Sequence, residues 1–277
     1  MLLGAHVSIA GGYHNAATEA GRLGMQAIQI FTKNQRTWNE KTVTEQECAL
    51  FREACSRNGV LQAFSHSIYL ISLGSQNDEI AQKSMLSLAM ELERCHALGL
   101  THTVLHPGFA GALSVDDAIT LIAERIKKVL SVTKSSAKIL IENTAGQGSS
   151  VGGKIDHIAR LLTKINSKRV GLCIDTCHAF ASGYDIRDKQ GIRKFIKEID
   201  DKIGLERLLC FHLNDSKGGL GSRLDRHAHI GQGLLGLAAF EYIMKNFPEI
   251  PKVLETSKEN DADRKNLEIL RRLGSKK

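Results

Sequence analysis

VGLCIDTCH, residues 170–178, decides the fold. Strand side chains alternate with period two, so Val170, Leu172 and Ile174 fall on one side and Gly171, Cys173 and Asp175 on the other. Asp175 therefore stands directly above Cys173 on a shared face. The same step, an apolar residue followed two positions later by a ligand-type one, recurs five more times. The pairs are Phe64 and His66, Val104 and His106, Leu140 and Glu142, Cys210 and His212, Val253 and Glu255. A greasy residue below and a polar one at the C-terminal end, strand after strand, describe a filled barrel with its polar groups collected at the mouth.

Outward from that stretch, β-branched runs alternate with amphipathic ones along the whole chain. Strands are expected at 2–7, 27–32, 61–66, 102–106, 138–142, 170–175, 207–212 and 252–255. Helices are expected at 12–23, 45–58, 78–98, 115–133, 154–165, 192–203, 237–246 and 261–273. Within the third helix, Ile80, Met85, Leu88, Leu92 and Cys95 mark one apolar face. Eight βα units in 277 residues most simply close into a (β/α)8 TIM barrel, an α/β fold read here as one domain over residues 1–277. An open doubly wound sheet is the rival, and it normally shows a GxGxxG turn after its first strand. The turn HVSIAGGYHN, residues 6–15, does not match.

Composition agrees with a folded globular chain rather than a disordered one, at 42% hydrophobic and 24% charged residues. A net charge of +7 favours polyanions such as nucleic acid, and bound cations at the carboxylates would raise it further. The six cysteines form no CxxC pair and several sit in apolar runs, as reduced, buried thiols do. Cys173 and Cys177 are poor joint ligands, lying on a strand and its exit. The N-terminus lacks a basic region and a long apolar core, and no run of about 18 apolar residues occurs, so a cytoplasmic location without a membrane span is expected.

A lone histidine at a strand end is more often structural than a ligand, but six ligand-type residues in succession on the correct face are not explained that way. The loop after the seventh strand, DSKGGLGSRLDRHAHIGQGLLG (215–236), is long enough to be functional, and it adds Asp225 and His227. With His178 the candidates reach nine: His66, His106, Glu142, Asp175, His178, His212, Asp225, His227 and Glu255. Mixed imidazole and carboxylate donors suit zinc better than magnesium or calcium. Nine donors are too many for one ion with an open position; two or three ions, with a carboxylate bridging a pair, fit better. Such clusters suit phosphoryl hydrolysis, in which they activate water and neutralise the attacking and departing oxygens.

GLCIDTCH (171–178), HLNDSK (212–217) with GSRLDRHAHIGQG (221–233), and HSIYLISLGS (66–75) resemble signature blocks of the endonuclease IV family of apurinic/apyrimidinic endonucleases. GAHVS (4–8), FTKNQRTW (31–38), LHPG (105–108), IENTAGQG (141–148) and LET (254–256) agree, in unbroken order over nearly the whole chain. The resemblance implies three Zn2+ ions. His66, His106 and Glu142 would hold one; Glu142, Asp175, His212 and Glu255 a second; His178, Asp225 and His227 the third. Glu142, Asp175 and Glu255 would be the catalytic carboxylates. It further implies cleavage of double-stranded DNA 5′ to an abasic site, leaving a 3′-hydroxyl, with removal of 3′-blocking groups. The attacking group would be a metal-bridging hydroxide.

That family extrudes the lesion by inserting side chains, which costs little where no base is paired. Arg36, Tyr69 and Leu70 match those positions, although ordinary packing under a loop would also account for Tyr69 and Leu70. Lys33, Asn34, Lys217 and Arg226 could reach phosphates. His6 faces the mouth without matching a zinc ligand, and His229 is expected to be exposed. A monomer is the expected state. Two rival functions remain: a metal-dependent sugar isomerase or epimerase, which leaves the third ligand group unexplained, and a non-catalytic DNA-binding protein with closed structural metal sites.

Overall fold

The computed structural model describes residues 1–275. Ten strands occur in it: β1 (Leu3–His6), β2 (Ala27–Ile30), β3 (Gln62–His66), β4 (His102–Leu105), β5 (Lys138–Glu142), β6 (Val170–Asp175), β7 (Leu208–His212), β8 (Asp215–Ser216), β9 (His227–Ala228) and β10 (Lys252–Leu254). The helices are α1 (Tyr13–Leu23), α2 (Glu45–Arg57), α3 (Asp78–Leu98), α4 (Val115–Val132), α5 (Ile155–Ile165), α6 (Thr176–Ala181), α7 (Lys189–Lys202), α8 (Ala238–Asn246) and α9 (Ala262–Ser275).

Strands β1 to β7 and β10 pair in parallel into a closed barrel of order β1-β10-β7-β6-β5-β4-β3-β2. This is the expected (β/α)8 architecture. Its seam joins the first strand to the last, with Gly4 opposite Val253. Gly4 also lies against β2, where an added Cβ would sit 1.6 Å from the Ala27 carbonyl oxygen, so only glycine lets the strands approach there.

Inside the barrel, Ala27, Phe64, Val104, Leu140, Cys173, Cys210 and Val253 form one fully buried plug. Six of these seven are the apolar members of the pairs read from the sequence, so the parity of the strands holds around the barrel. A second core fills the space between strands and helices. Helix α5 shows how the helices meet it, turning Ile155, Ile158, Leu161, Leu162 and Ile165 inward at helical spacing.

Several local expectations differ from the structure. β4 and β10 stop one residue short, leaving His106 and Glu255 just past the strand ends. α7 begins at Lys189 rather than 192, because the Asp188 side chain accepts the Gly191 N–H and caps the helix early. The short α6 was not anticipated. In α3 the buried face runs through Ala81, Ser84, Leu88, Leu92 and Cys95; Ile80 is exposed and Met85 half-buried. The six cysteines are unpaired and five are buried. Among the described residues, no helix is long and apolar enough to cross a membrane.

Candidate metal centre

Glu142 ends β5 fully buried, and four imidazoles surround it. His106 Nε2 lies 2.9 Å and His66 Nε2 3.2 Å from its Oε2, while His212 Nδ1 lies 2.9 Å and His178 Nδ1 3.3 Å from its Oε1. Burial alone would oppose ionisation, but the His212 and His106 rings outweigh it and hold the Glu142 carboxyl well below the usual carboxylate range. Burial likewise disfavours a charged His178, and Asp175, Asp225 and Glu142 overcome it, raising its pKa well above the ordinary value.

The nine donors read from the sequence fall into three groups. His66, His106 and Glu142 form one; Glu142, Asp175, His212 and Glu255 another; His178, Asp225 and His227 a third; within each, the ligand atoms lie within 4.8 Å of one another. Glu142 belongs to two of them. Two further groupings of the same kind bring in thiols: Cys173 and Cys210 with His212, and Cys177 with Asp175 and His227. Cys173 and Cys177 never share a group, as their placement on a strand and its exit requires.

Local structure fixes most of these rings. Asp175 caps α6 by accepting the His178 N–H at 2.8 Å. Asn143 brackets the Asp175 backbone, accepting its N–H at 2.7 Å and donating to its carbonyl at 3.1 Å. Asn214 donates to Asp175 Oδ2 at 2.6 Å and accepts the Glu255 N–H at 2.8 Å. His66, His178 and His227 donate Nδ1–H to the carbonyls of Ser67, Asn143 and Glu255 at 2.7, 2.9 and 3.2 Å, since a carbonyl only accepts. Each thereby turns Nε2 toward the cluster. The Nε2 atoms of His178 and His227 are buried without a hydrogen bond, although Asp225 Oδ1 lies 3.2 and 3.3 Å away. Orphaned imidazole nitrogens converging on a carboxylate are what a cation site presents.

The loop carrying Asp225 and His227 is anchored by Asp215. That buried carboxylate accepts the backbone N–H groups of Ser216, Gly231, Gly233 and Leu235 at 2.7–3.1 Å. Gly233 is required by the close approach, for a Cβ there would stand 2.4 Å from Asp215 Oδ1. β8 and β9 pair antiparallel across the loop base, with Ser216 opposite His227.

A cavity of about 490 Å³ opens above the cluster, walled by Tyr69, Phe109, Gln147 and Arg226. Tyr69 is 59% exposed, with its ring 5.3 Å from His66 and 5.9 Å from His106. Leu70 is half-buried and packs on the core, so the packing alternative holds for it in part. A second recess is lined by His6, Phe31, Lys33, Asn34, Arg36 and Lys258, and the Phe31 ring lies 5.6 Å from that of Tyr69 at the lip of the first. Asn34 and Arg36 are exposed, as are Lys217 and Arg226.

Lys33 is a correction. Its ammonium is buried, donating to Glu40 Oε1 at 2.9 Å and to the Thr37 and Asn39 carbonyls, and Arg94 holds the same Glu40. Its ammonium braces its own loop, while the residue lines the same recess as Asn34 and Arg36. His229 also differs from expectation, being half-buried with its Nδ1 3.2 Å from Asn266 Nδ2. Phe109 and Gln147 were not singled out beforehand, although Gln147 lies in the quoted IENTAGQG.

Residues 17–273 match the family model described as Xylose isomerase-like TIM barrel. The chain is 43% identical to the "Probable endonuclease 4" of Geobacter sp. (strain M21), with 98% of each covered, and 42% identical to that of Chloroflexus aurantiacus, with 98% and 97% covered. The crystal structure of endonuclease IV from Thermus thermophilus superposes with a TM-score of 0.89 at 36% identity, covering 99% of this chain and 98% of that one. The chain belongs to the endonuclease IV family. It is an enzyme of the endonuclease IV type. A D-tagatose 3-epimerase-like protein matches with a TM-score of 0.74 at only 18% identity, a likeness of fold alone. The barrel is thus a scaffold shared beyond the endonuclease IV family.

Proposed function

We propose that this chain is a zinc-dependent DNA-repair phosphodiesterase that cuts double-stranded DNA 5′ to abasic sites, leaves a 3′-hydroxyl, and clears blocked 3′ ends. The observation that carries the reading is the shared Glu142, around which three donor groups meet at an open mouth. His66, His106 and Glu142 would hold one zinc, Glu142, Asp175, His212 and Glu255 a second, and His178, Asp225 and His227 a third. Zinc there would supply Lewis acidity and lower the pKa of water at neutral pH. The orphaned Nε2 atoms of His178 and His227 and the mixed nitrogen and oxygen donors fit that ion.

The chain's own residues bind and orient. Tyr69 stands at the lip where an unpaired position can be filled, and Arg36 and Asn34 border the adjoining recess on the path of a phosphate backbone. Glu142, Asp175 and Glu255 are the carboxylates closest to the chemistry. The chain acts as one domain, as a monomer in the cytoplasm. A sugar isomerase or epimerase shares the barrel, but one or two ions suffice for it, and the group of His178, Asp225 and His227 would have no use.

The deciding experiment is a duplex oligonucleotide carrying one abasic analogue. The zinc-replete chain is expected to nick it 5′ to the lesion with a 3′-hydroxyl product, and prolonged zinc chelation is expected to abolish nicking. An intact duplex with zinc-replete protein overturns the proposal.

A further inference from the structure

His212 differs from three of the other rings of the cluster. His66, His178 and His227 donate Nδ1–H to main-chain carbonyls and present Nε2. His212 is reversed: its Nδ1 faces Glu142 Oε1 at 2.9 Å and Glu255 Oε2 at 3.1 Å, and its Nε2 lies 2.8 Å from Gln29 Oε1. A side chain, not the backbone, sets this ring.

The amide of Gln29, fully buried on β2, has only one satisfactory orientation. Its Nε2 donates to Glu255 Oε1 at 2.6 Å and to His6 Nδ1 at 2.9 Å. A flipped amide would set its oxygen against the Glu255 carboxylate. With Nε2 committed to those two acceptors, Oε1 can only accept, so His212 must carry hydrogen on Nε2. The lone pair on Nδ1 is thereby left for the group of Glu142, Asp175 and Glu255.

We propose that Gln29 is a positioning residue that selects the His212 tautomer and fixes Glu255, and so sets the cation affinity of the group formed by Glu142, Asp175, His212 and Glu255. This rests on the zinc reading above. It also gives that group a ligand ring set by a side chain, whereas main-chain carbonyls orient the rings of His66, His178 and His227. Hydrogen-bond partners of ligands typically change metal affinity by about 10- to 100-fold.

The test uses the zinc-loaded chain and two variants. Gln29→Met keeps volume and removes both hydrogen-bonding functions; Gln29→Glu keeps the acceptor for His212 but sets a carboxylate oxygen against Glu255 in place of the donor. Zinc release to a chromophoric chelator, kcat and KM on abasic duplex, and the ¹⁵N imidazole shifts of His212 are measured, with folding checked by near-ultraviolet circular dichroism. Gln29→Met is expected to lose one zinc equivalent about 10- to 100-fold more readily, hold the rest as the parent does, and lower kcat with KM unchanged. Gln29→Glu is expected to keep the parent His212 tautomer while releasing zinc more readily than the parent, because two carboxylates then meet at Glu255. Zinc release from Gln29→Met at the parent rate overturns the inference, and so does a Gln29→Glu chain with a changed His212 tautomer. Should Gln29→Met not fold, the His212 shifts of Gln29→Glu decide, a changed tautomer counting against the proposal. A parent that takes up no zinc at all defeats the zinc reading itself, which is a different result.

Discussion

The carboxylate of Asp175 accepts the backbone N–H of His178 at 2.8 Å, tying a donor of one group to the helix that presents a donor of another. Asp175 is a ligand candidate and a helix cap at once. Asp175→Ala is expected to weaken cation retention in both groups and to cost about 1 kcal/mol for the lost cap. Asp175→Asn keeps an oxygen for the cap and should retain the His178 group better. Zinc stoichiometry and thermal melting of the two variants separate the roles; equal zinc loss in both would show that the cap does not transmit.

Glu142→Gln leaves the volume of the site unchanged while removing the charge shared by His66, His106, His178 and His212. Nicking of the abasic duplex should fall at least about 100-fold, with the circular dichroism of the fold retained. Turnover near that of the parent would mean that the groups do not share this carboxylate.

Protons and cations compete for the same rings, and the signs differ with and without metal. In the ion-free chain, His178 and His212 have raised pKa values, so the stability they contribute is full below the ordinary imidazole range and lost as pH rises through their raised values. The lowered Glu142 and Glu255 act oppositely: their contribution is full above the ordinary carboxylate range and lost as pH falls through their lowered values. Zinc binding displaces the imidazole protons and therefore strengthens with pH. Melting temperatures between about pH 5 and about pH 9 should thus fall with pH in chelator and rise with pH in zinc. Parallel curves would be inconsistent with proton–cation exchange at these rings.

Lys33 and Arg36, three residues apart, should behave differently. Arg36→Ala is expected to reduce the slope of log affinity against log salt by about 1 without changing stability, as removal of a phosphate contact does. Lys33→Ala breaks a buried pair with Glu40 and should cost about 3 kcal/mol of stability, leaving the salt slope intact. Filter-binding titrations and denaturant melts distinguish them.

Removing the Asp215 carboxylate leaves four backbone donors of the long loop without their acceptor, at roughly 1–3 kcal/mol for each one that stays buried. Asp215→Ala should therefore release the loop and with it Asp225 and His227. Loop protease sensitivity would rise well before global unfolding; a loop as resistant as the parent's would show that other contacts hold it.

The barrel and six of the nine donors were legible because they depend on strand parity, a local property: Cys173 under Asp175 and Phe64 under His66 need only period two. His178, Asp225 and His227 lie off the barrel strands and were reached through neighbouring loops and the resemblance. Gln29 was not legible, since an amide in a strand says nothing of a partner 183 residues away across the barrel. Lys33 misled for a related reason. Its motif reads as a basic loop, and only the tertiary approach of Glu40, with Arg94 behind it, turns the ammonium inward. Helix α6, six residues long, is too short for apolar periodicity to register, and it exists because Asp175 caps it.

Pairing of β1 with β10 closes the barrel only once the last strand is in place. Glu255 follows the last barrel strand, so a ribosome-bound chain carries the early histidines long before it can hold the complete set of donors. On the proposed ligand set, a polypeptide truncated ahead of that strand would lack Glu255 and leave the group of Glu142, Asp175 and His212 one donor short.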